Sequence, residues 1–488
     1  MKNKIYILLL SLLVIGCGKA QNNKFPMKVN IVDSLFFVPV DTSYSFIRYD
    51  KNHLILCSDS SQMRRFARKW YHLLSTGKGH LNIMQLGASH VQGGTFPHTM
   101  RRNLLIGACN AIGDSRYQTK NDHFPVGPRG MIFPYSAAVK CNNPFDYRVS
   151  RSWPLTLTRC VYKEPEQLLG LTGIAVAAAD SAADISITLA EPDLDFATGR
   201  IIVLGNAVGG VVPKLYLMDK PGDTNWIAIT DADPAFRRYT FEMPCAVDSF
   251  HLFLPCDSGQ AFAVTGIYLD HALPLVHTTG ITYHSIGVNG ASVSDYLTKC
   301  PNFTTDLELI SPDLVIFGIG INDAAGPNFD TAIFRQRYLQ LVDSIRKVSP
   351  DCAFIFITNN DSYRHVKRKY VVNGNGPLVR EAFLRVAEQC GGAVWDQFDI
   401  MGGLSSMDRW TKAELGQRDH VHFTRKGYTL LGDLLSNAIM ECVVAMRPDV
   451  KTIKKAVEQP DNQKIQKSKK SDIPQNENLN DRPNYISY

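Results

Sequence analysis

The sequence lacks the patterns that indicate a metal site, a redox centre or a nucleic-acid surface. None of its 11 cysteines belongs to a CxxC pair, and their spacing is not that of zinc ligands. The formal net charge is only +6 over 488 residues, and the excess of lysine and arginine is concentrated near the two ends of the chain. A nearly neutral body attracts phosphate backbones weakly. We therefore expect no metal, no organic cofactor and no nucleic-acid partner.

Long hydrophobic runs are also absent beyond residue 20, which excludes a protein with several membrane-spanning helices. The start of the chain is different. Lys2 and Lys4 precede an apolar run over residues 5–15, which is too short to span a bilayer as a stable helix. A charged start followed by such a run is typical of an export signal. The sequence therefore predicts a protein that leaves the cytoplasm.

The residues after the apolar run indicate how the signal is processed. Residues 14–17 read VIGC and resemble a bacterial lipobox, in which the cysteine, here Cys17, is lipidated and becomes the mature N-terminus. Cleavage after Ala20 is the alternative, because residues 18–20 also include small side chains. The first interpretation predicts a cell-envelope lipoprotein, periplasmic or outer-membrane associated, that contacts the membrane through its lipid anchor. The second predicts a secreted protein.

Export also affects the other cysteines, because disulfides are permitted outside the cytoplasm. Cys245 and Cys256 could face each other across a hairpin. Buried free thiols are the alternative, and the sequence leaves both open.

The length of the chain predicts two folded domains plus tails. Two sequence patterns alternate along it, and the first covers residues 80–125 and returns at about 276–448. Its predicted strands are 80–86, 314–317, 353–358 and 393–395, and its predicted helices are 96–106, 332–348, 377–390 and 426–445. Continuously apolar strands separated by amphipathic helices indicate a parallel sheet covered on both faces, which is a three-layer α/β domain.

The second sequence pattern lies between these regions, at about residues 130–275. Its short alternating runs, with Gly, Pro and Asp in the gaps, predict strands at 174–177, 185–189, 201–204, 214–217, 226–229, 239–242, 250–254 and 262–269. Such a series is typical of a β-sandwich of jelly-roll type. The α/β domain is therefore predicted to be split by an inserted all-β domain. The polar residues after about 449 are predicted to be disordered.

A serine stands just past the first predicted strand. Residues 85–90 read QLGASH, so Ser89 lies in the crevice where open α/β sheets bind their ligands. There it opens a helix, whose N-terminal N–H groups can stabilise developing negative charge. By itself the motif is better explained by a serine that caps the helix.

An acid and two histidines stand just before the last predicted helix, where residues 419–422 read DHVH. A serine that attacks an acyl group needs a neutral imidazole to take its proton, and the imidazole needs a carboxylate to hold its tautomer. Asp419 and His422 are close enough in sequence to make that contact within one turn. Asp419, His420 and His422 could instead be metal ligands, but no obvious cluster of His, Cys or acidic residues completes such a site.

Two turns that contain glycine follow apolar strands at the same predicted sheet edge. Residues 287–292 read GVNGAS and residues 318–323 read GIGIND. A tetrahedral oxyanion needs fixed donors, which a glycine N–H and an asparagine amide can supply. Taken singly, each motif is better explained as a tight turn.

Together these four segments resemble the SGNH (GDSL-like) serine hydrolase family in order and spacing. The resemblance implies that Ser89 is the nucleophile, that His422 is its base and that Asp419 orients the base. It further implies an oxyanion hole formed by the Ser89 N–H, the Gly290 N–H and the Asn322 amide.

The family also implies a fold and a division of the chain. The resemblance covers about residues 80–130 and 276–446, and the implied fold is a three-layer αβα flavodoxin-like hydrolase domain with an inserted all-β jelly-roll sandwich. The expected division is a leader at 1–20, an N-terminal segment packing on the hydrolase at 21–79, a first hydrolase segment at 80–130, the carbohydrate-binding-like sandwich at 131–275, a second hydrolase segment at 276–448 and the polar tail at 449–488.

One position departs from the family pattern. The usual Gly-Asp-Ser is here Gly87-Ala88-Ser89. The missing carboxylate is not a catalytic group, but in the family it helps to brace the nucleophile turn. The departure puts the level of activity in doubt, and a catalytically dead relative is the extreme case.

A narrower resemblance suggests a substrate. Residues 127–135 (GPRGMIFPY) and 283–290 (YHSIGVNG), together with the insertion, are similar to peptidoglycan O-acetylesterases. Residues 262–269 resemble the last strand of carbohydrate-binding jelly rolls. These likenesses imply an exported carboxylic ester hydrolase that removes O-acetyl groups from a peptidoglycan-like glycan. The alternatives are an esterase for plant or host glycans, acetyl transfer to a sugar, and a non-catalytic glycan-binding lipoprotein. His90 and Trp410 are further candidates for the cleft, with packing or surface roles at least as compatible.

Overall fold

A computed structural model of the chain describes residues 37–76, 79–112, 124–125, 129–137, 147–150, 155–189, 194–220, 223–257, 260–270 and 280–446. The expected leader, the lipid-attachment residue Cys17 and the expected polar tail at 449–488 lie outside the described residues.

The strands and helices are numbered in chain order. The strands are β1 (Leu54–Leu56), β2 (His80–Gly87), β3 (Phe124–Pro125), β4 (Gly130–Ile132), β5 (Arg148–Val149), β6 (Leu155–Arg159), β7 (Ile174–Ala178), β8 (Ala183–Thr188), β9 (Leu194–Asp195), β10 (Thr198–Ala207), β11 (Lys214–Lys220), β12 (Asp223–Ile227), β13 (Asp231–Asp233), β14 (Arg238–Val247), β15 (Ser249–Leu254), β16 (Cys256–Asp257), β17 (Gln260–Asp270), β18 (Gly280–Gly287), β19 (Leu314–Gly318), β20 (Ala353–Ile357), β21 (Tyr363–Val366), β22 (Lys369–Val372) and β23 (Ala393–Trp395). The α-helices are α1 (Ser61–Thr76), α2 (Ser89–Gln92), α3 (Thr95–Ile112), α4 (Val293–Lys299), α5 (Phe303–Leu307), α6 (Thr331–Val348), α7 (Gly376–Cys390), α8 (Gln397–Ile400), α9 (Met407–Lys412) and α10 (Arg425–Ala445). Short 3-10 helices cover Tyr49–Lys51 and Tyr135–Ala137.

A six-stranded sheet in the order β1-β23-β20-β19-β2-β18 forms the centre of the α/β region. All neighbours are parallel except β1, which runs antiparallel to β23 at the edge. All five side chains of β20 are buried, as expected for a strand covered on both faces. The helices α1, α3 and α10 pack together on one side, and α4, α5 and α7 pack around α6 on the other. The predicted three-layer α/β fold is confirmed.

The helix α10 is both a core element and the most hydrophobic helix of the α/β region. Among the described residues it alone has the length and apolar composition of a membrane span, but most of it is buried against α3 and α1. The helix α1 buries Met63, Phe66 and Trp70 in the same core. The described part of the segment that precedes β2 therefore packs on the α/β region through α1.

Antiparallel strands from between β2 and β18 form two further sheets. The larger has the order β13-β14-β10-β17-β7-β6, with β4 and β16 also paired to β17, and the smaller has the order β12-β11-β15-β8-β5. Burial alternates along β8 and β15, so one face of the smaller sheet is covered and the other faces outward. A β-rich region of this kind was expected between the two halves of the parallel sheet.

Several features of the structure differ from the sequence expectations or add to them. The strand β4 pairs with β17 and crosses the predicted boundary at residue 131. The hairpin β21–β22 was not predicted. Cys245 and Cys256 are free thiols.

Candidate active site

Three glycines lie side by side at the carboxyl edge of the parallel sheet. Gly87 of β2 is in register with Gly287 of β18 and with Gly318 of β19. A Cβ atom on Gly87 would lie 2.2 Å from Val91 Cγ2 and 2.9 Å from the Gly318 carbonyl oxygen. A Cβ atom on Gly287 would lie 2.7 Å from the Ala88 carbonyl oxygen, so side chains are excluded at both of these positions. The three motifs that contain these glycines converge on one edge of the sheet.

Ser89 is the first residue of α2, and its hydroxyl does not cap that helix. The N-cap residue is Ala88, which is fully buried and makes no side-chain cap. The Ser89 Oγ instead lies 2.8 Å from His422 Nε2. The capping explanation of the motif is wrong, and the hydroxyl is available to the histidine.

His422 connects Ser89 to Asp419. Its Nδ1 lies 2.6 Å from Asp419 Oδ2, and because a carboxylate only accepts hydrogen bonds, Nδ1 carries the proton. In the neutral ring Nε2 is then an acceptor for the Ser89 hydroxyl. The tautomer matches that of a general base poised to deprotonate serine.

Asp419 is held as an anion within a tight turn. Its Oδ1 accepts hydrogen bonds from the backbone N–H groups of Val421 and His422, both at 3.0 Å. Burial alone would raise the pKa of Asp419. The hydrogen bonds from the His422 side chain and from these N–H groups lower the pKa by more, so it ends well below its usual value. An ionised carboxylate is the form that stabilises a protonated imidazole.

His90 packs against the ring of His422, with 5.3 Å between ring centroids. Its Nδ1 lies 2.8 Å from the Tyr428 hydroxyl. Burial, and then the proximity of His422, lower the pKa of His90 to about 3. His90 therefore stays neutral beside a ring that must accept a proton. Sequence reasoning identified His90 only as a residue of the cleft, and Tyr428 of α10 was not singled out.

The two glycine-containing turns are tied to each other and to α2. Asn322 Nδ2 donates to the Ala291 carbonyl oxygen at 2.9 Å, which uses one of its two N–H groups. The carboxylate of Asp323 accepts from Val293 N at 3.2 Å. Gln92 Oε1 accepts from Asn289 N at 2.7 Å.

Gly290 lies at the exposed end of its turn. It has φ +85°, and a Cβ atom there would meet only Val161, at 3.8 Å. The Gly290 N–H and the second Asn322 N–H are the donors that the family resemblance assigns to an oxyanion.

Two other candidates occupy different places. His420 has φ +56°, and its ring lies 4.9 Å from the rings of Tyr363 and of Tyr370. Trp410 is fully buried, with Nε1 donating to the Met401 carbonyl at 3.1 Å, so it is a core residue. Within the described ranges, no group of three or more His, Cys, Asp or Glu residues is arranged to hold a metal ion.

Comparisons with known proteins agree with this architecture. Residues 265–430 match the GDSL-like lipase/acylhydrolase family, a range that contains Gly290, Asn322, Asp419 and His422 but not Ser89. The structure of a peptidoglycan O-acetylesterase is similar over 80% of this chain and 97% of that chain, with a TM-score of 0.59 and 21% sequence identity. At this identity the likeness establishes a shared fold.

Two further structures are less similar. An acetyl xylan esterase covers 33% of this chain and 83% of its own at 16% identity, with a TM-score of 0.27. A family two carbohydrate esterase from Clostridium thermocellum covers 59% of this chain and 98% of its own at 12% identity, also with a TM-score of 0.27. No curated protein matches the sequence.

Proposed function

We propose that the chain, whose residues 265–430 match the GDSL-like lipase/acylhydrolase family, is an esterase of the SGNH type that removes O-acetyl groups from a carbohydrate with Ser89 as nucleophile. One observation carries the proposal. Asp419, His422 and Ser89 form a continuous hydrogen-bonded chain, with contacts of 2.6 and 2.8 Å, at the carboxyl edge of a parallel sheet.

In the first half of the proposed reaction, Ser89 Oγ attacks the acetyl carbonyl carbon while its proton passes to His422 Nε2. Asp419 stabilises the imidazolium that forms. The carbonyl oxygen becomes an oxyanion, and its donors are the N–H groups of Ser89 and Gly290 and the amide of Asn322. His422 then gives the proton to the departing sugar oxygen, which leaves an acetyl-enzyme.

In the second half, water attacks the acetyl-enzyme carbonyl and gives one proton to His422 Nε2. Collapse of this second intermediate breaks the bond to Ser89 Oγ, and His422 returns the proton to that oxygen. Acetic acid leaves and loses its proton to the solvent, and the starting state is restored. All proton transfers are made by one imidazole, whose neighbour His90 is kept uncharged by burial.

The substrate that we propose is a peptidoglycan-like glycan. The peptidoglycan O-acetylesterase fold matches 80% of the chain. We interpret the β-rich region as an inserted carbohydrate-binding sandwich of jelly-roll type at residues 131–275. Trp226 supports this interpretation, because the residue is 54% exposed on the outer face of the smaller sheet. It packs on Tyr216 at 5.0 Å, and Lys214 Nζ lies 5.8 Å from its ring. A flat aromatic surface beside a cation suits a sugar ring.

The proposal includes export. The charged and apolar start of the chain, followed by the lipobox-like residues 14–17, supports a lipoprotein of the cell envelope anchored through Cys17. Secretion after cleavage at Ala20 is the alternative.

A non-catalytic glycan-binding lipoprotein is the rival proposal, and one observation favours it: Ala88 replaces the aspartate of the family motif. The intact hydrogen-bond chain from Asp419 to Ser89 favours catalysis. Acetylated plant or host glycans, and acetyl transfer to a sugar, are alternatives within the catalytic proposal.

Release of acetate tests the function. Purified protein and its Ser89→Ala variant are incubated with a small chromogenic acetate, O-acetylated peptidoglycan and acetylated xylan, and acetate is quantified by mass spectrometry. We expect acetate from peptidoglycan with the wild-type protein and none with the variant. Activity that persists in Ser89→Ala would refute the nucleophile, and a preference for xylan would refute the substrate. Binding to glycan without release of acetate from any of the three would favour the rival proposal.

A further inference from the structure

A strongly basic hairpin projects from the same end of the molecule as the candidate site. The strands β21 and β22 are joined by the two-residue turn Lys367-Arg368, with Arg364 and Lys369 flanking it. Residues 363–372 contain four cationic side chains and no acidic one. Few short segments of this nearly neutral protein carry so much charge of one sign.

The cations of this hairpin are available to a partner. Lys367, Arg368 and Lys369 are exposed, and Arg364 is partly exposed. In the stretches of the chain that the structure describes, none of the four forms an ion pair. Unpaired charges close together repel one another, so the hairpin gains stability from an anion that binds there.

The turn itself is occupied by residues that its backbone disfavours. Lys367 has φ +45° and Arg368 has φ +65°, the left-handed region for both central residues of a two-residue hairpin turn. Asn-Gly is the preferred pair for this geometry, and other side chains cost about 1 kcal/mol each there. Two long cations at such positions therefore indicate a use that outweighs the local cost.

The hairpin is fastened to the loop that holds Asp419 and His422. Tyr363 N donates to the His420 carbonyl oxygen at 3.0 Å, and Asn360 Nδ2 donates to the Val421 carbonyl oxygen at 2.9 Å. The rings of Tyr363 and Tyr370 flank the His420 ring, each at 4.9 Å. A polymer held by the hairpin thus lies beside the loop that supplies the base.

We propose that the β21–β22 hairpin is a binding site for the carboxylate groups of an anionic glycan that is acted on at Ser89. The proposal rests on the proposed function and narrows it to glycans that carry carboxylates, as those with lactyl ethers or attached peptides do. Lys and Arg bind carboxylates through charge-assisted hydrogen bonds, and a cluster of them raises the rate of encounter with a polyanion. The exposed Val366, Tyr370 and Val371 add apolar contact for sugar rings. Neutral acetylated polymers gain little from this site.

The test removes the charge in a way that favours the fold. In the variant Lys367→Asn/Arg368→Gly the turn residues become those that the backbone prefers, so its melting temperature should equal or exceed that of the wild-type protein. The control variant is Arg65→Gln/Arg68→Gln/Lys69→Gln on α1. Arg65 pairs with Asp351 and Lys69 with Asp313, just before β20 and β19, so these cations lie at the opposite edge of the sheet from Ser89.

The measurement is acetate release from O-acetylated peptidoglycan, relative to hydrolysis of a small neutral acetate, for the full-length protein at low and at physiological salt. At low salt the ratio should fall at least about tenfold in the hairpin variant and stay unchanged in the control. The difference should shrink at physiological salt, because exposed charges are screened. Conversion of the peptidoglycan carboxylates to neutral amides should lower the wild-type ratio and leave the hairpin variant unaffected. An unchanged ratio in the hairpin variant overturns the proposal, as does an unaltered wild-type rate on the amidated polymer.

A second readout keeps this proposal separate from the proposed function. Sedimentation of the Ser89→Ala protein with peptidoglycan requires no catalysis. Adding the hairpin substitutions to Ser89→Ala should abolish most of the salt-sensitive binding, and the α1 substitutions should not. Binding equal in the two combined variants would reject the hairpin site even if the esterase activity is established.

Discussion

At the residue scale, the Ser89 hydroxyl can contact His422 because it does not cap its own helix. Ala88, and not Ser89, is the N-cap residue of α2, and no side chain caps this helix end. Ala88 is fully buried, so a carboxylate at this position would need hydrogen-bond partners of its own. The brace of the nucleophile turn is therefore formed by close backbone contact, as at Gly87 and Gly287.

Asn322 is the residue whose predicted role is most easily separated from a structural one. Asn322→Ala should lower kcat about 10²–10³-fold with little change in KM, because an oxyanion donor acts mainly in the transition state. The matched control is Asn375→Ala, since the Asn375 amide also donates to backbone carbonyls, those of Ala324 and Gly326. Steady-state kinetics and thermal unfolding of both variants are compared. Equal losses of kcat in the two variants would mean that Asn322 only braces its turn.

Asp323 should make stability depend on pH. Burial raises its pKa from an ordinary 3.8 to about 6, so the folded state binds a proton that the unfolded state has released. Its contribution to stability is complete below about pH 3.8 and is lost as the pH rises through about 6.

Asp323→Asn should abolish this component of the pH dependence. The stability of the variant relative to wild type should therefore increase between about pH 4 and about pH 7. Urea unfolding at several pH values measures it. A difference that stays constant over this interval would show that Asp323 has the same proton affinity in both states.

At the element scale, the parallel sheet positions the site through its register. Gly87, Gly287 and Gly318 end three adjacent strands at one level, so the segments that follow them start from a common edge. The turn after β18 is linked to the turn after β19 by Asn322 and Asp323. The site is thus built from the ends of largely buried strands.

The outward face of the smaller antiparallel sheet is where we expect the insert to contact sugar. Trp226→Ala should weaken sedimentation with acetylated glycan and lower the ratio of polymer to small-ester activity severalfold, because a small ester cannot use remote binding energy. Phe236→Ala is the control, since Phe236 is also an exposed aromatic residue, at 41%. Similar effects of the two substitutions would point to a general loss of fold in the region.

At the scale of the whole molecule, a buried ion pair joins the antiparallel region to the α/β region. Arg237 precedes β14, Asp306 lies in α5, and their side chains meet at 2.7 Å with Asp306 fully buried. Asp306 Oδ2 also accepts from Leu171 N at 3.0 Å. A Cβ atom on Gly170 would lie 1.6 Å from the same carboxylate oxygen, which leaves room only for glycine. The two regions are therefore packed against each other. Excision of the insert would leave the Asp306 carboxylate without Arg237.

Removing only one partner of this ion pair should lower the stability of the fold. Asp306→Ala leaves Arg237 buried without its carboxylate and should lower the free energy of unfolding by about 3–5 kcal/mol. The double variant Arg237→Met/Asp306→Leu removes both charges and should recover much of the loss. Denaturant unfolding measures both, and Arg385→Gln, in an exposed pair with Glu381, is the control with a change below about 1 kcal/mol. A loss of less than about 1 kcal/mol in Asp306→Ala would show that the two regions are energetically independent.

The sequence by itself determined the local structure and the order of the motifs. Predicted elements such as the strand at 314–317 and the helix at 377–390 were found within one residue, because continuous apolar runs and helical periodicity are local properties. The contact between Asp419 and His422 spans three residues and could be predicted from one turn. The hairpin β21–β22 was missed because Lys-Arg replaces the Asn-Gly that signals such a turn.

Only the tertiary structure decided what lies beside what. Ser89 and His422 are 333 positions apart, and their distance is set by how β2 and the loop before α10 meet at one end of the sheet. Likewise, the packing of His90 against His422, the attachment of the hairpin to the Asp419 loop and the pairing of Arg237 with Asp306 join residues from separate elements. No local pattern encodes these contacts, because each is fixed by the packing of the sheet and its helices around a shared core.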